Sequence, residues 1–143
     1  MKKFLLIMIM FLSLVGFNAV ANDFDLLKGE WFETTLMSEP GTEGLIIAFY
    51  EDDWTQKARF RLIQSDQQGN LIFDADTEIF EGEIFAYDGL IQIEFSRVYD
   101  KNYEFKRSIN TTLMYEYYLE RDGGYLFLEM FNNSEYLLMV KAE

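Results

Sequence analysis

The chain alternates runs rich in β-forming residues with very short polar turns, and this punctuation decides most of its architecture. Strand-like runs fall at Gly29–Ser38, Leu45–Glu51, Lys57–Ser65, Leu71–Tyr87, Leu90–Tyr99, Tyr103–Glu120, Tyr125–Phe131 and Tyr136–Lys141. Asp88-Gly89 and Asp122-Gly123 tolerate the positive φ of two-residue hairpins. Gly69-Asn70, Asp100-Lys101-Asn102 and Asn132-Asn133-Ser134 supply further turns, and Pro40-Gly41 opens the first loop. Connections this short join antiparallel neighbours, so the chain is expected to meander. About eight strands with hardly room for a helix predict an all-β fold. An up-and-down barrel removes the exposed edges; a two-sheet β-sandwich is the alternative.

Hairpin arithmetic assigns the faces. Closing on Asp88-Gly89 sets Tyr87 opposite Leu90, so Ala86 meets Ile91 and Ile84 meets Ile93 on one face. Glu83, Gln92 and Glu94 fall on the other, which gives an apolar inside and a polar outside. Gly82 reads as a bulge or kink; if it is a turn, the strand count becomes nine or ten. A loop over Gln67 to Asn70 would place Arg61 opposite Asp76 and Arg59 opposite Glu78. Lys57, Arg59 and Arg61 would then face Asp74, Asp76 and Glu78 in an outer charge ladder, with Phe60 and Leu62 turned away.

The last two hairpins break the alternation. Closing on Asp122-Gly123 pairs Leu119 with Leu126, Tyr117 with Leu128 and Tyr115 with Met130. The next turn places Leu137 beside Met130 and Met139 beside Leu128. The opposite face is apolar too, through Met114, Tyr118, Phe127, Phe131, Tyr136, Leu138 and Val140. A barrel exterior of this kind calls for a cover. The segment Phe24–Leu27 or a curled neighbouring sheet could supply it within the chain. Otherwise Tyr118, Phe127, Phe131, Tyr136 and Leu138 form a partner site, for a different protein or for a second copy in a homodimer.

The first twenty-one residues say where the chain goes. Lys2 and Lys3, an apolar run from Phe4 to Phe17 and the small residues Ala19-Val20-Ala21 have the layout of a secretory leader cleaved after Ala21. The run is shorter than the roughly 20 residues that cross a bilayer. Residues 22–143 are then one exported domain, periplasmic or secreted, without membrane insertion after cleavage. Losing two lysines takes the net charge from −13 to −15, which repels nucleic acid and anionic headgroups and suits cationic partners or plain solubility.

Cysteine and histidine are both absent. The domain must hold together by its core alone, and Cys–His or Ser–His–Asp nucleophilic systems and the common zinc sites are excluded. The Asp74-x-Asp76-x-Glu78 spacing spreads carboxylates about 7 Å apart along a strand instead of converging them on a calcium ion. Glu51-Asp52-Asp53 reads as a solvated turn with at most weak affinity for a divalent cation. No carboxylate pair stands out for glycoside hydrolysis, and no catalytic residue, metal or cofactor is assigned. Asn110-Thr111-Thr112 and Asn132-Asn133-Ser134 match glycosylation acceptors, but the short leader looks bacterial and both are read as strand and turn. Arg97 and Arg107 sit among Phe95, Tyr99, Phe105 and Ile109. Facing inward, they would need an anion, from an internal glutamate or a ligand carboxylate.

Gly29-Glu30-Trp31, just before the first strand, resembles the opening motif of the lipocalins and of bacterial lipocalin-like, calycin-type barrels. The resemblance implies that Trp31 closes one end of the barrel under a late-strand cation, Arg121 or Lys141. It also implies an internal cavity for a small apolar or amphipathic ligand. Trp31, Phe95, Arg97, Arg107, Tyr115 and Tyr117 are the cavity candidates. Two functions follow: a non-enzymatic binding protein for such a ligand, or a protein-binding module, of inhibitor or immunity type, with an apolar outer face in an acidic rim.

Overall fold

The computed structural model describes residues 23–73, 76–120, 124–131 and 135–142. The proposed leader lies outside them. Two single-turn helices, α1 (Asp23–Leu27) and α2 (Thr34–Ser38), flank β1 (Gly29–Glu33). There follow β2 (Glu43–Asp52), β3 (Thr55–Ser65), β4 (Leu71–Ile72), β5 (Ile79–Tyr87), β6 (Leu90–Tyr99), β7 (Phe105–Leu119), β8 (Tyr125–Met130) and β9 (Tyr136–Lys141). All pairings are antiparallel, and eight strands close into an up-and-down barrel in which β1 joins β2 and β9. The ninth, β4, is a two-residue extension on the end of β3. The barrel, and not the sandwich, is the architecture.

An eight-stranded barrel is just wide enough for side chains to fill it. Here Phe60 meets Phe95 edge-on, with centroids 5.1 Å apart, and Tyr115 at 6.5 Å, in the middle of the barrel. Around them Trp31, Ile47, Ile84, Ile93, Leu126 and Met139 are buried in the same cluster. Tyr87 faces Leu90, and Ile84 faces Ile93, as the Asp88-Gly89 turn requires. Gly82 is the bulge: the register shifts at Glu81/Gly82, and a Cβ there would run into the Glu94 carbonyl.

Four sequence expectations need correction. The first run does not continue to Ser38. It ends at Glu33, whose carboxylate accepts the Thr35 hydroxyl at 2.9 Å and the Leu45 amide at 3.3 Å; α2 then lays Leu36 over Ile46 and Ile63 outside the barrel. The run Leu71–Tyr87 is not one strand, because β4 is followed by a loop and β5 starts at Ile79. That loop shifts the β3–β5 register by three residues from the expected one: Arg59 faces Glu81, Arg61 faces Ile79 and Lys57 faces Glu83. The predicted ladder is therefore absent; Asp74 lies outside the described residues, and Asp76 is exposed in a turn. On β9 the register differs by two residues from the predicted one, with Met139 opposite Leu126 and Leu137 opposite Leu128. A shift of two keeps every side chain on its face.

Candidate functional site

One end of the barrel is sealed. α1 puts Phe24 and Leu27 into the core, so this segment does not cover the apolar outer face as one sequence reading had it. The Trp31 indole N–H donates to the Leu27 carbonyl at 2.8 Å, and Lys141 Nζ lies over the ring, 5.4 Å from its centroid. Gly29, at φ 122°, leaves room for Lys141, since a Cβ would come within 3.1 Å of its Cε. Lys141 is thus the late cation over the tryptophan; Arg121 lies outside the described residues.

The other end is open. β1 and β8 are short, and a cavity of about 450 Å³ sits there, lined by Leu45, Tyr115, Met130, Glu135, Tyr136 and Leu137. Burial, and then the nearby Glu135 charge, push the Tyr115 hydroxyl up to about 12. Of the predicted cavity residues, Trp31, Phe95 and Tyr117 are core side chains, and Tyr115 borders the opening.

Arg97 and Arg107 do not face the interior. A register irregularity between Phe95 and Arg97 puts Phe95 inside and Arg97 outside, where strict alternation would have kept them together. Arg107 is exposed and grips Glu78 with both terminal nitrogens, one of them at 3.1 Å, while Lys106 reaches the same carboxylate at 2.9 Å. These hydrogen bonds, from Arg107 first and Lys106 next, hold Glu78 down at about 2. A second clamp lies on the outer wall of β2, β3 and β5. Glu81 is buried there and accepts the Tyr50 hydroxyl at 2.7 Å and Arg59 Nε at 3.0 Å. Burial alone would raise the Glu81 carboxyl, but the Tyr50 and Arg59 hydrogen bonds and the Arg59 and Lys57 charges outweigh it and lower it. Desolvation, then the bond to Glu81, raises Tyr50.

The outer face of β7–β9 is a different surface. Tyr118, Phe127 and Leu138 form one cross-strand row. Glu116, Glu129 and Tyr136 form the next. Phe127 and Tyr136 stack with centroids 5.4 Å apart. Tyr136 is 67 % exposed, and Phe131, Leu138 and Tyr125 are exposed with it, while Tyr118 and Phe127 are half-buried. The structure thus brings the predicted partner residues onto one face. It adds Tyr125, which the period-two spacing from Phe127 could have revealed.

Trp54 escaped the sequence reading altogether. It is 96 % exposed at the tip of the β2–β3 hairpin, with Asp53 at φ 45° and Trp54 at φ 69°. Asp52 pairs directly with Thr55, so the link is a two-residue turn and not the wide polar loop that the strand limits Glu51 and Lys57 implied.

No described helix is long and apolar enough to cross a membrane, and no cluster of His, Cys, Asp or Glu among the described residues could hold a metal ion. No family model matches the chain, and neither a curated protein nor a solved structure does.

Proposed function

We propose that the protein is an exported, non-enzymatic binding module that holds another protein on the outer face of β7–β9. The carrying observation is the aromatic face itself: Tyr118, Tyr125, Phe127, Tyr136 and Leu138 lie together on the outside of the barrel, away from its core cluster. Burying such a face yields roughly 25 cal/mol per Å², and aromatic residues are the usual anchors of an interface core. Glu116 lies in the middle of the face, so a cationic contact from the partner is favoured over an acidic one.

The test is a photo-crosslinker at position 136 in the exporting cell, with a control at Gln64, exposed near the end of β3. The reading expects a discrete adduct at 136 and none at 64, lost in Phe127→Asp while the variant melts like the parent. Equal labelling at both positions, or an adduct indifferent to Phe127→Asp, overturns it. Gel filtration at two concentrations separates a second copy from a foreign partner.

The open-end cavity favours a second reading, a small apolar or amphipathic ligand held between Leu45, Met130 and Leu137. Its volume falls within the range of ligand pockets. An apolar probe that raises the melting temperature, and stops doing so in Leu137→Asp, would support that reading.

A further inference from the structure

The β2–β3 tip is built in a way that folding does not ask for. A two-residue hairpin in which both central residues have positive φ suits Asn-Gly or Asp-Gly, because glycine carries no Cβ to clash. The second position here holds Trp54 at φ 69°, a bulky side chain in a conformation that bulky residues rarely adopt. Its indole meets almost nothing in its own chain, at 96 % exposure. The backbone conformation counts against the folded state, and the unburied indole contributes nothing to offset it. Strained residues of this kind cluster at binding sites.

Two surface ion pairs lie at the base of the tip. Lys57 Nζ pairs with Asp52 at 3.4 Å, and Lys28 Nζ pairs with Glu51 at 3.2 Å, tying the hairpin base to its own second strand and to the end of α1. Glu51, Asp52 and Asp53 precede the tryptophan; the first two are paired with these lysines, and Asp53 shares the turn with Trp54.

We infer that Trp54 is an insertion anchor for a partner protein, entering a concave site with an apolar slot for the indole and a rim of Lys or Arg for Asp53. This rests on the protein-binding reading above and adds to it a second contact and a partner chemistry. Trp is the residue type most enriched among interface hot spots, and an acidic tip on an acidic protein steers toward a cationic cleft. The same acidity opposes insertion into an anionic bilayer.

The experiment sets Asp53→Asn/Trp54→Gly, which restores the turn's preferred sequence, beside Trp54→Ala and Phe127→Asp, all in the full chain. The double variant is expected to melt about 2–6 °C higher than the parent, because the strain is gone. A photo-crosslinker at position 136 in the exporting cell should capture a protein of basic isoelectric point, and that capture should fall in the tip variants. Added parent protein should compete with that capture, whereas the double variant should compete at least tenfold less well. In vitro, Trp54 emission should shift to the blue with the captured protein and stay unchanged with phosphatidylcholine vesicles. A double variant that competes like the parent, an acidic captured protein, or a blue shift on vesicles each overturns the inference. Capture lost in Phe127→Asp but intact in the tip variants overturns the anchor and leaves the aromatic face standing. Capture indifferent to both overturns the two together.

Discussion

The two tryptophans occupy one end of the barrel and answer to opposite demands. Trp31 is fully buried, gives its N–H to Leu27 and lies under Lys141. Trp54 projects from the neighbouring hairpin with its ring in water. The hairpins teach the same lesson. At β5–β6 the turn is Asp88-Gly89, φ 48° and 76°; at β2–β3 nearly the same backbone is Asp53-Trp54, φ 45° and 69°. One turn has the residue that the geometry prefers. The other gives up stability at a place where nothing inside the chain gains from it, and such places are where binding is expected.

The largest test of this contrast is a pair of truncations. Trp31→Ala should cost about 3–5 kcal/mol, because it opens a cavity in a sealed core and leaves the Leu27 carbonyl without its donor. Trp54→Ala should stay within about 0.5 kcal/mol of the parent. Urea unfolding of the two variants settles it, and equal losses would break the comparison. Next in size is Glu81→Gln, which strips a buried acceptor of its charge beneath Tyr50 and Arg59 and should cost about 1–3 kcal/mol in the same assay. The hairpins come third: Gly89→Ala should cost about 1 kcal/mol through its positive φ, whereas Trp54→Gly should raise stability. Stability changes of the same sign in both would mean that Trp54 has a structural role after all.

Much of the barrel was legible because its signals are local. Asp88-Gly89 fixes one register by itself, and Leu119, Tyr117 and Tyr115 find Leu126, Leu128 and Met130 from hairpin geometry alone. Errors appear where a register depends on a longer connection or an irregularity. The β4–β5 loop moved Arg59 from Glu78 to Glu81, and the irregularity beyond Phe95 turned Arg97 outward. Leu36 could not be read as a lid because its strand-like neighbours gave no helical period; its place over Ile46 and Ile63 is a tertiary fact. The aromatic face was legible from period two. Trp54 was not, because exposure of a large apolar side chain runs against every pattern used to find strands and cores.

The smallest effect comes from two glutamates that make the same contrast in charge. Glu81 is buried beneath its donors, and Glu78 is held by Arg107 and Lys106 near the surface. Both carboxyls are lowered in the fold, Glu78 to about 2. A carboxyl with a depressed folded value stabilises the protein above its unfolded value and stops doing so as pH falls through the folded one. For Glu78 that window runs from the ordinary carboxylate range down to about 2. Glu78→Gln should therefore melt slightly below the parent at pH 7, with the gap closing on acidification. Because both cations are close to half exposed, the gap should be small and shrink further in 1 M salt, where screening acts over about 3 Å. The Glu81→Gln deficit should persist in the same salt, since its donors are bonded to it within a shielded wall. A Glu78→Gln gap as large as that of Glu81→Gln, or one that ignores salt, would show that the Arg107 clamp is part of the barrel's structure and not a surface pairing.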